Sequence, residues 1–207
     1  MRFSSHWAFL FPRPPPRAGR RKTNLKSSQK IAKLKIGMPD EKLLNQKISE
    51  ILKDFSQKLP HFSDGRIDYS NSDKAPVIIC FVRYKDKILL LKRGQKVRTY
   101  KGKWNTVAGY IDELKSLREK ALEEIQEELG FLGEQVEFIS FAEPYEFRDD
   151  KINKTWIIFS VLTELKKKPE IKLDFEHTEY KWIKPEEITN FDIVANVDKS
   201  LKMVLNG

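Results

Sequence analysis

Three glutamates, Glu124, Glu127 and Glu128, are related as i, i+3 and i+4 in a segment with helical periodicity, Ala121 to Leu129. On a helix such a set falls within one sector of about 100°. Leu114, Ala121, Leu122, Ile125 and Leu129 form a neighbouring stripe suited to packing on a sheet. The carboxylates would therefore sit beside the core stripe rather than opposite it. They also occupy the last turns of the helix, where its dipole favours cations and like charges repel, each effect costing about 0.3–1 kcal/mol. Such an arrangement becomes favourable when it holds a hard divalent cation through oxygen. A solvated acidic face has the same pattern, and the helix alone does not separate the two readings.

The residues flanking the helix do. Gly109 precedes it, Glu124-Ile125 and Glu127-Glu128 lie within it, and Gly130-Phe131 closes it. Their spacing resembles the box of the Nudix hydrolase family: Gly, five residues, Glu, seven residues, Arg-Glu, an aliphatic, any residue, Glu-Glu, any residue, Gly and an apolar residue. Two positions depart, with Lys115 where the first Glu belongs and Glu123 where the Arg belongs. The resemblance extends to the hairpin ending Leu89-Leu90-Leu91-Lys92-Arg93, to Gly102-Lys103-Trp104, and to Trp182-Ile183-Lys184-Pro185-Glu186-Glu187. It covers roughly residues 74–207.

The resemblance implies an α/β fold, a Nudix-like mixed-sheet α/β/α sandwich. It also implies a Nudix-type hydrolase of a phosphoanhydride bond: metal-dependent cleavage of a diphosphate linkage in a nucleoside diphosphate joined to another moiety. Glu124, Glu127 and Glu128 would be the metal ligands, with Mg²⁺ or Mn²⁺ as cofactor, and Glu124 and Glu127 would also be catalytic. Glu176, six residues before Trp182, would be a further ligand or general base, and Arg93 a phosphate contact. The partner would be a small-molecule nucleoside diphosphate derivative, with a homodimer as an allowed assembly.

The family's Arg orients its catalytic glutamate, which Glu123 cannot do. Lys120, four residues before Glu124 on the same face, could supply part of that charge, without the bidentate fork of Arg. The alternative is thus a weakened Nudix-fold module that binds nucleotides or proteins without turnover. A relative of isopentenyl-diphosphate isomerase would share the fold, but that chemistry needs an active-site cysteine. Cys80 lies in the apolar run Val77–Val82 and reads as core packing. His6, His61 and His177 have no ligand spacing, and His177 reads as a hydrogen-bonding loop residue. The aromatics Trp104, Tyr145, Phe147 and Tyr180 read as core or rim.

The elements that must position these residues follow from periodicity. Asp40 caps a helix running to about Leu59, with apolar residues at Leu44, Ile48, Ile51, Leu52, Phe55 and Leu59. A loop spans His61–Pro76. Val77–Arg83 and Lys87–Lys92 form a hairpin about Tyr84-Lys85-Asp86. Further strands are expected at Trp104–Val107, Val136–Phe141, Thr155–Leu162 and Glu179–Ile183. The central helix is expected over Glu113–Leu129, and a helical tail from Pro185.

The formal charge of +9 across 207 residues is unevenly distributed. Residues 1–36 hold ten Lys or Arg and no acid, leaving 29 basic and 30 acidic residues beyond, a net of −1. The folded body is not expected to bind nucleic acid, and no apolar run is long enough to span a bilayer. The expected organisation is a disordered basic leader over 1–37, an N-terminal helix and linker over 38–73, and the hydrolase domain over 74–207. The location is expected to be cytoplasmic, or organellar if the leader is a transit peptide.

Overall fold

A computed structural model describes residues 39–206, and the leader lies outside them. The elements run α1 (Glu41–Lys58), β1 (Lys74–Tyr84), β2 (Lys87–Arg93), β3 (Trp104–Asn105), β4 (Val107–Tyr110), α2 (Leu117–Leu129), β5 (Val136–Phe141), β6 (Tyr145–Asp149), β7 (Lys154–Leu165), β8 (His177–Ile183) and α3 (Val197–Asn206).

β1 is the hub of an eight-stranded mixed sheet. It runs parallel to β7 from Lys74↔Thr155 to Arg83↔Glu164. It is antiparallel to β4 from Val77↔Tyr110 to Cys80↔Val107, and to β2 beyond the turn. Successive β1 residues face opposite sides, as the strand period requires. Ile78, Cys80 and Val82 join one apolar cluster with Leu44, Ile48 and Leu52 of α1 and Leu117, Ala121, Ile125 and Leu129 of α2. Ile79 and Phe81 join another with Val197, Leu201 and Val204 of α3. The sheet is thus covered on both faces, which its β-branched, nearly unbroken apolar β1 demands.

α1 begins where Asp40 accepts a hydrogen bond from the Lys42 amide at 2.8 Å. Its buried stripe of Leu44, Ile48 and Leu52 gains about 1.5–3 kcal/mol for each large side chain removed from water. Asn45 Oδ1 accepts from the first α2 amide, Leu117 N, at 3.0 Å, and Arg118 pairs with Glu41 at 3.0 Å. α1 therefore braces the N-terminus of the helix that carries the glutamates.

Three expectations are corrected. α2 begins at Leu117, not Glu113, because Ser116 and Glu119 form a reciprocal capping box there. Leu114 consequently stands 74% exposed in a loop and is not part of the core stripe. Residues Tyr145–Asp149, lying between the expected strands Val136–Phe141 and Thr155–Leu162 and given no element of their own, form strand β6 against β7. Their alternation of half-buried Tyr145 and Phe147 with exposed Glu146 and Arg148 is that of an edge strand with one wet face. The C-terminal segment is a 3₁₀ turn over Pro185–Asn190 before α3 starts at Val197. Cys80 is fully buried, as expected.

Candidate active site

The two ends of α2 fix its rotation. Ser116 Oγ accepts from Glu119 N at 3.2 Å while the Glu119 carboxylate accepts from Ser116 N at 2.9 Å. At the other end Gly130 adopts φ 72°, the left-handed conformation that closes a helix, and donates to Gln126 O at 3.0 Å. With Leu117, Ala121, Ile125 and Leu129 committed to the sheet, Glu124 and Glu128 are carried inward against β4, and both are buried. Glu127 is exposed at the cleft.

Contact between α2 and β4 leaves no space for a side chain at position 109. A Cβ on Gly109 would lie 2.0 Å from Glu124 Oε1 and 2.2 Å from its carboxyl carbon. The neighbouring amide of Ala108 donates to Glu128 Oε1 at 3.1 Å. Burial raises the pKa of both carboxyls above the ordinary glutamate value, Glu128 most strongly. Lys120 opposes the rise at Glu124. At Glu128 the Ala108 hydrogen bond opposes it, while the charges of Glu124, Asp174 and Glu176 add to it. These acids therefore form one electrostatically coupled cluster drawn from α2 and the segment entering β8.

Lys120 is buried, with its Nζ 2.8 Å from Glu124 Oε1, 3.5 Å from Glu123 Oε2 and 3.8 Å from Asp112 Oδ1. Asp112 is itself buried, and its other oxygen lies 3.5 Å from Arg66 Nη1. Lys115 Nζ lies 2.7 Å from both Glu113 and Glu123. The two residues that depart from the box thus pair with each other, the cation at 115 and the anion at 123. Lys120, one helical turn before Glu124, supplies the positive charge that holds it.

Beside Glu128 stands His177, whose Nδ1 is 2.9 Å from Asp174 Oδ1 and whose Nε2 is 3.7 Å from Glu128 Oε2. It opens β8 and its ring is buried, so the expectation of a loop histidine is corrected. The residue pairs with Arg93 across the β2–β8 ladder, which draws it from a loop into the sheet. Burial lowers its pKa, so it is neutral at pH 7. Glu176 lies in the cleft wall, its amide donating to Asp174 Oδ1 at 3.1 Å and its carbonyl accepting from Gly94 N at 2.7 Å. Arg93 is anchored by Nε donating to Thr99 O at 3.1 Å.

Glu124, Glu127, Glu128, Glu176 and Arg93 all line one cleft of about 1320 Å³. Sequence reasoning passed over Asp112, Asp174 and Asn105, and discounted His177. Asp112 and Asp174 are ordinary loop acids in sequence, and only folding places them beside α2. The buried acceptors Asn105 Oδ1, Asp112 Oδ1 and Glu128 Oε2 have no hydrogen-bond partner in the structure. Hard-oxygen acceptors of that kind suit Mg²⁺ or Mn²⁺. Among the described residues no three His, Cys, Asp or Glu side chains are gathered into a ready cation site. One oxygen of Glu124 is taken by Lys120 and one of Glu128 by Ala108 N–H. Cation binding would have to draw the remaining oxygens together.

Comparison with known proteins agrees with this geometry. The NUDIX domain family model matches residues 73–203. The nucleoside triphosphatase NudI of Escherichia coli O139:H28 is 26% identical over 136 residues, 61% of this chain and 94% of its own. The MutT protein of Methanosarcina mazei superposes with a TM-score of 0.53 at 22% identity, covering 66% of this chain and 96% of that one. The NUDIX domain of Shewanella oneidensis NrtR, solved with ADP-ribose, gives 0.54 at 14% identity, covering 64% and 87%. The chain belongs to the NUDIX domain family and is a Nudix-type hydrolase acting on a phosphoanhydride bond.

Proposed function

We propose that the chain cleaves a diphosphate linkage in a nucleoside diphosphate joined to another moiety, with Mg²⁺ or Mn²⁺ bound by Glu124, Glu127 and Glu128. The observation that carries this reading is the close approach of Glu124 to β4, where its carboxylate fills the space that a Cβ at position 109 would take. Glu128 is seated by Ala108 N–H in the same way. Two glutamates buried beside each other are costly unless something positive meets them. Lys120 meets only one.

When bound, the cation would polarise the phosphoryl oxygens and lower the pKa of the attacking water. Glu127, exposed in the cleft, and Glu176 are the groups that would receive the proton of that water. Arg93 would contact a phosphate oxygen. Lys120 opposes the burial-driven rise of the Glu124 pKa and holds the carboxylate in place. The relatives called nucleoside triphosphatases support a nucleotide substrate.

A second reading, a binding module without turnover, draws on Lys115 and Glu123. Their mutual pairing weakens it, because the charge balance around Glu124 is kept through Lys120. The test is a hydrolysis screen over nucleoside diphosphate sugars, dinucleoside polyphosphates, nucleoside triphosphates and capped RNA, with Mg²⁺ or Mn²⁺. Wild type is run beside Glu127→Gln and Glu128→Gln. Turnover by wild type that both variants lose supports the hydrolase. Nucleotide binding equal in all three without turnover sinks it in favour of the binding module.

A further inference from the structure

The family match begins at residue 73, yet the cleft has a wall built from residues before it. Tyr69 is buried, and its hydroxyl donates to Ile111 O at 3.0 Å. Its ring stacks on Tyr110, with centroids 5.5 Å apart and planes 21° from parallel. Behind it Phe55 of α1 packs edge-on at 5.4 Å. Tyr110 remains 41% exposed, a large apolar surface held at the cleft mouth, one residue from the Gly109–Glu124 contact.

The same segment fixes a buried cation. Lys154 Nζ donates to Tyr69 O at 2.9 Å and Ser72 O at 2.5 Å. It lies 5.9 Å from the Tyr110 ring centroid and 5.5 Å from that of Trp156. Trp156 in turn sits 6.0 Å from Tyr110. Val77, Ala108, Phe147 and Ile158 continue this stretch of the cleft lining, and none of them carries a charge. Along one cleft, therefore, carboxylates at one part give way to an aromatic, partly exposed surface at another.

We propose that the segment preceding the family domain supplies a base-binding wall: Tyr69 buttresses Tyr110 as a stacking platform for the planar base of a nucleotide whose phosphates face α2. The proposal rests on the nucleotide reading above and specifies how the base is held. A ring held rigidly by a second ring loses little freedom on binding, so the stacking is realised as affinity. Arg93 and Arg98 lie close enough that their charges oppose the burial-driven rise of the Tyr110 phenol. Both line the same cleft as Tyr110 and the glutamates.

The test is calorimetric, on the full chain with Mg²⁺ and again in EDTA. AMP, GMP, CMP and UMP are each compared with ribose 5-phosphate, which lacks the base. At least one nucleotide should bind about tenfold or more tightly than ribose 5-phosphate, within the range of single base–aromatic stacks. Tyr110→Leu, at an exposed position, should erase that preference and leave ribose 5-phosphate unchanged. Tyr69→Leu should weaken it, and Tyr69→Phe, which keeps the ring, should preserve most of it. No preference for any nucleotide, or a preference that survives Tyr110→Leu, overturns the proposal. A base preference without hydrolysis would refute the enzymatic reading and keep this one. Hydrolysis without base preference would do the reverse.

Discussion

The acidic part of the cleft and its aromatic wall are built in opposite ways. The acids Glu124, Glu127 and Glu128 come from one helix, and their partner Gly109 lies fifteen residues upstream. The wall joins Phe55 and Tyr69, from before the family domain, to Tyr110 of β4 and Lys154 and Trp156 of β7. The first is a local device that helical geometry aligns in one step. The second exists only once distant segments have packed. The acidic part should therefore govern turnover whatever the substrate, and the wall should govern which substrate is preferred.

The largest expected effect tests that division. Glu124→Gln and Glu127→Gln should lower kcat by about 10²–10⁴-fold, while nucleotide affinity in EDTA stays within about twofold of wild type. Loss of binding in step with turnover, read by calorimetry, would break the division.

Lys120→Met comes next. It strands the Glu124 carboxylate in a buried site, and removing one partner of a buried pair costs about 3–5 kcal/mol. Urea denaturation should show most of that loss, and Lys120→Arg should recover most of it. An unchanged midpoint would mean that water reaches Glu124.

Gly109→Ala should lower turnover because the added Cβ must displace the Glu124 carboxylate, with a smaller effect on stability because the displaced atoms are the end of a flexible side chain. A crystal structure of the variant with Glu124 unmoved would contradict this.

Glu128 offers a pH test with a definite sign. Its folded pKa is raised above 4.5 by burial, so its contribution to stability is present below that pH and lost as pH rises through the raised value. In metal-free buffer the melting temperature of wild type should therefore fall relative to Glu128→Gln as pH increases. Mn²⁺, binding the ionised form, should reverse the trend for wild type alone. A difference independent of pH would show that the carboxyl is not buried at its cost.

The smallest effect concerns the inverted pair. Lys115 and Glu123 are each about one-third exposed, so Lys115→Ala should cost less than about 1 kcal/mol. The exchange K115E/E123K should restore what either single change removes.

Much of the acidic part was legible from residues 109–131. The i, i+3, i+4 set and the flanking glycines are fixed-offset features, and a helix converts offsets directly into directions. That Lys120 reaches Glu124 followed from the same rule. The pairing of Lys115 with Glu123 did not, since Lys115 precedes the helix and its position depends on the capping box at Ser116. β6 was hidden because an edge strand with one wet face reads as a polar turn.

The chain's sequence thus determined the chemistry it carries: which acids face together, which glycine lets them approach a strand, and which lysine offsets their charge. Tertiary structure decided what surrounds them. His177 reaches Glu128 through the β2–β8 pairing, Asp174 through its amide, which donates to Glu128 O at 3.3 Å, and Tyr69 reaches Tyr110 where its hydroxyl donates to Ile111 O. Such contacts join residues tens of positions apart. Their positions are set by burial, a collective quantity summed over the whole core, and no local spacing encodes it.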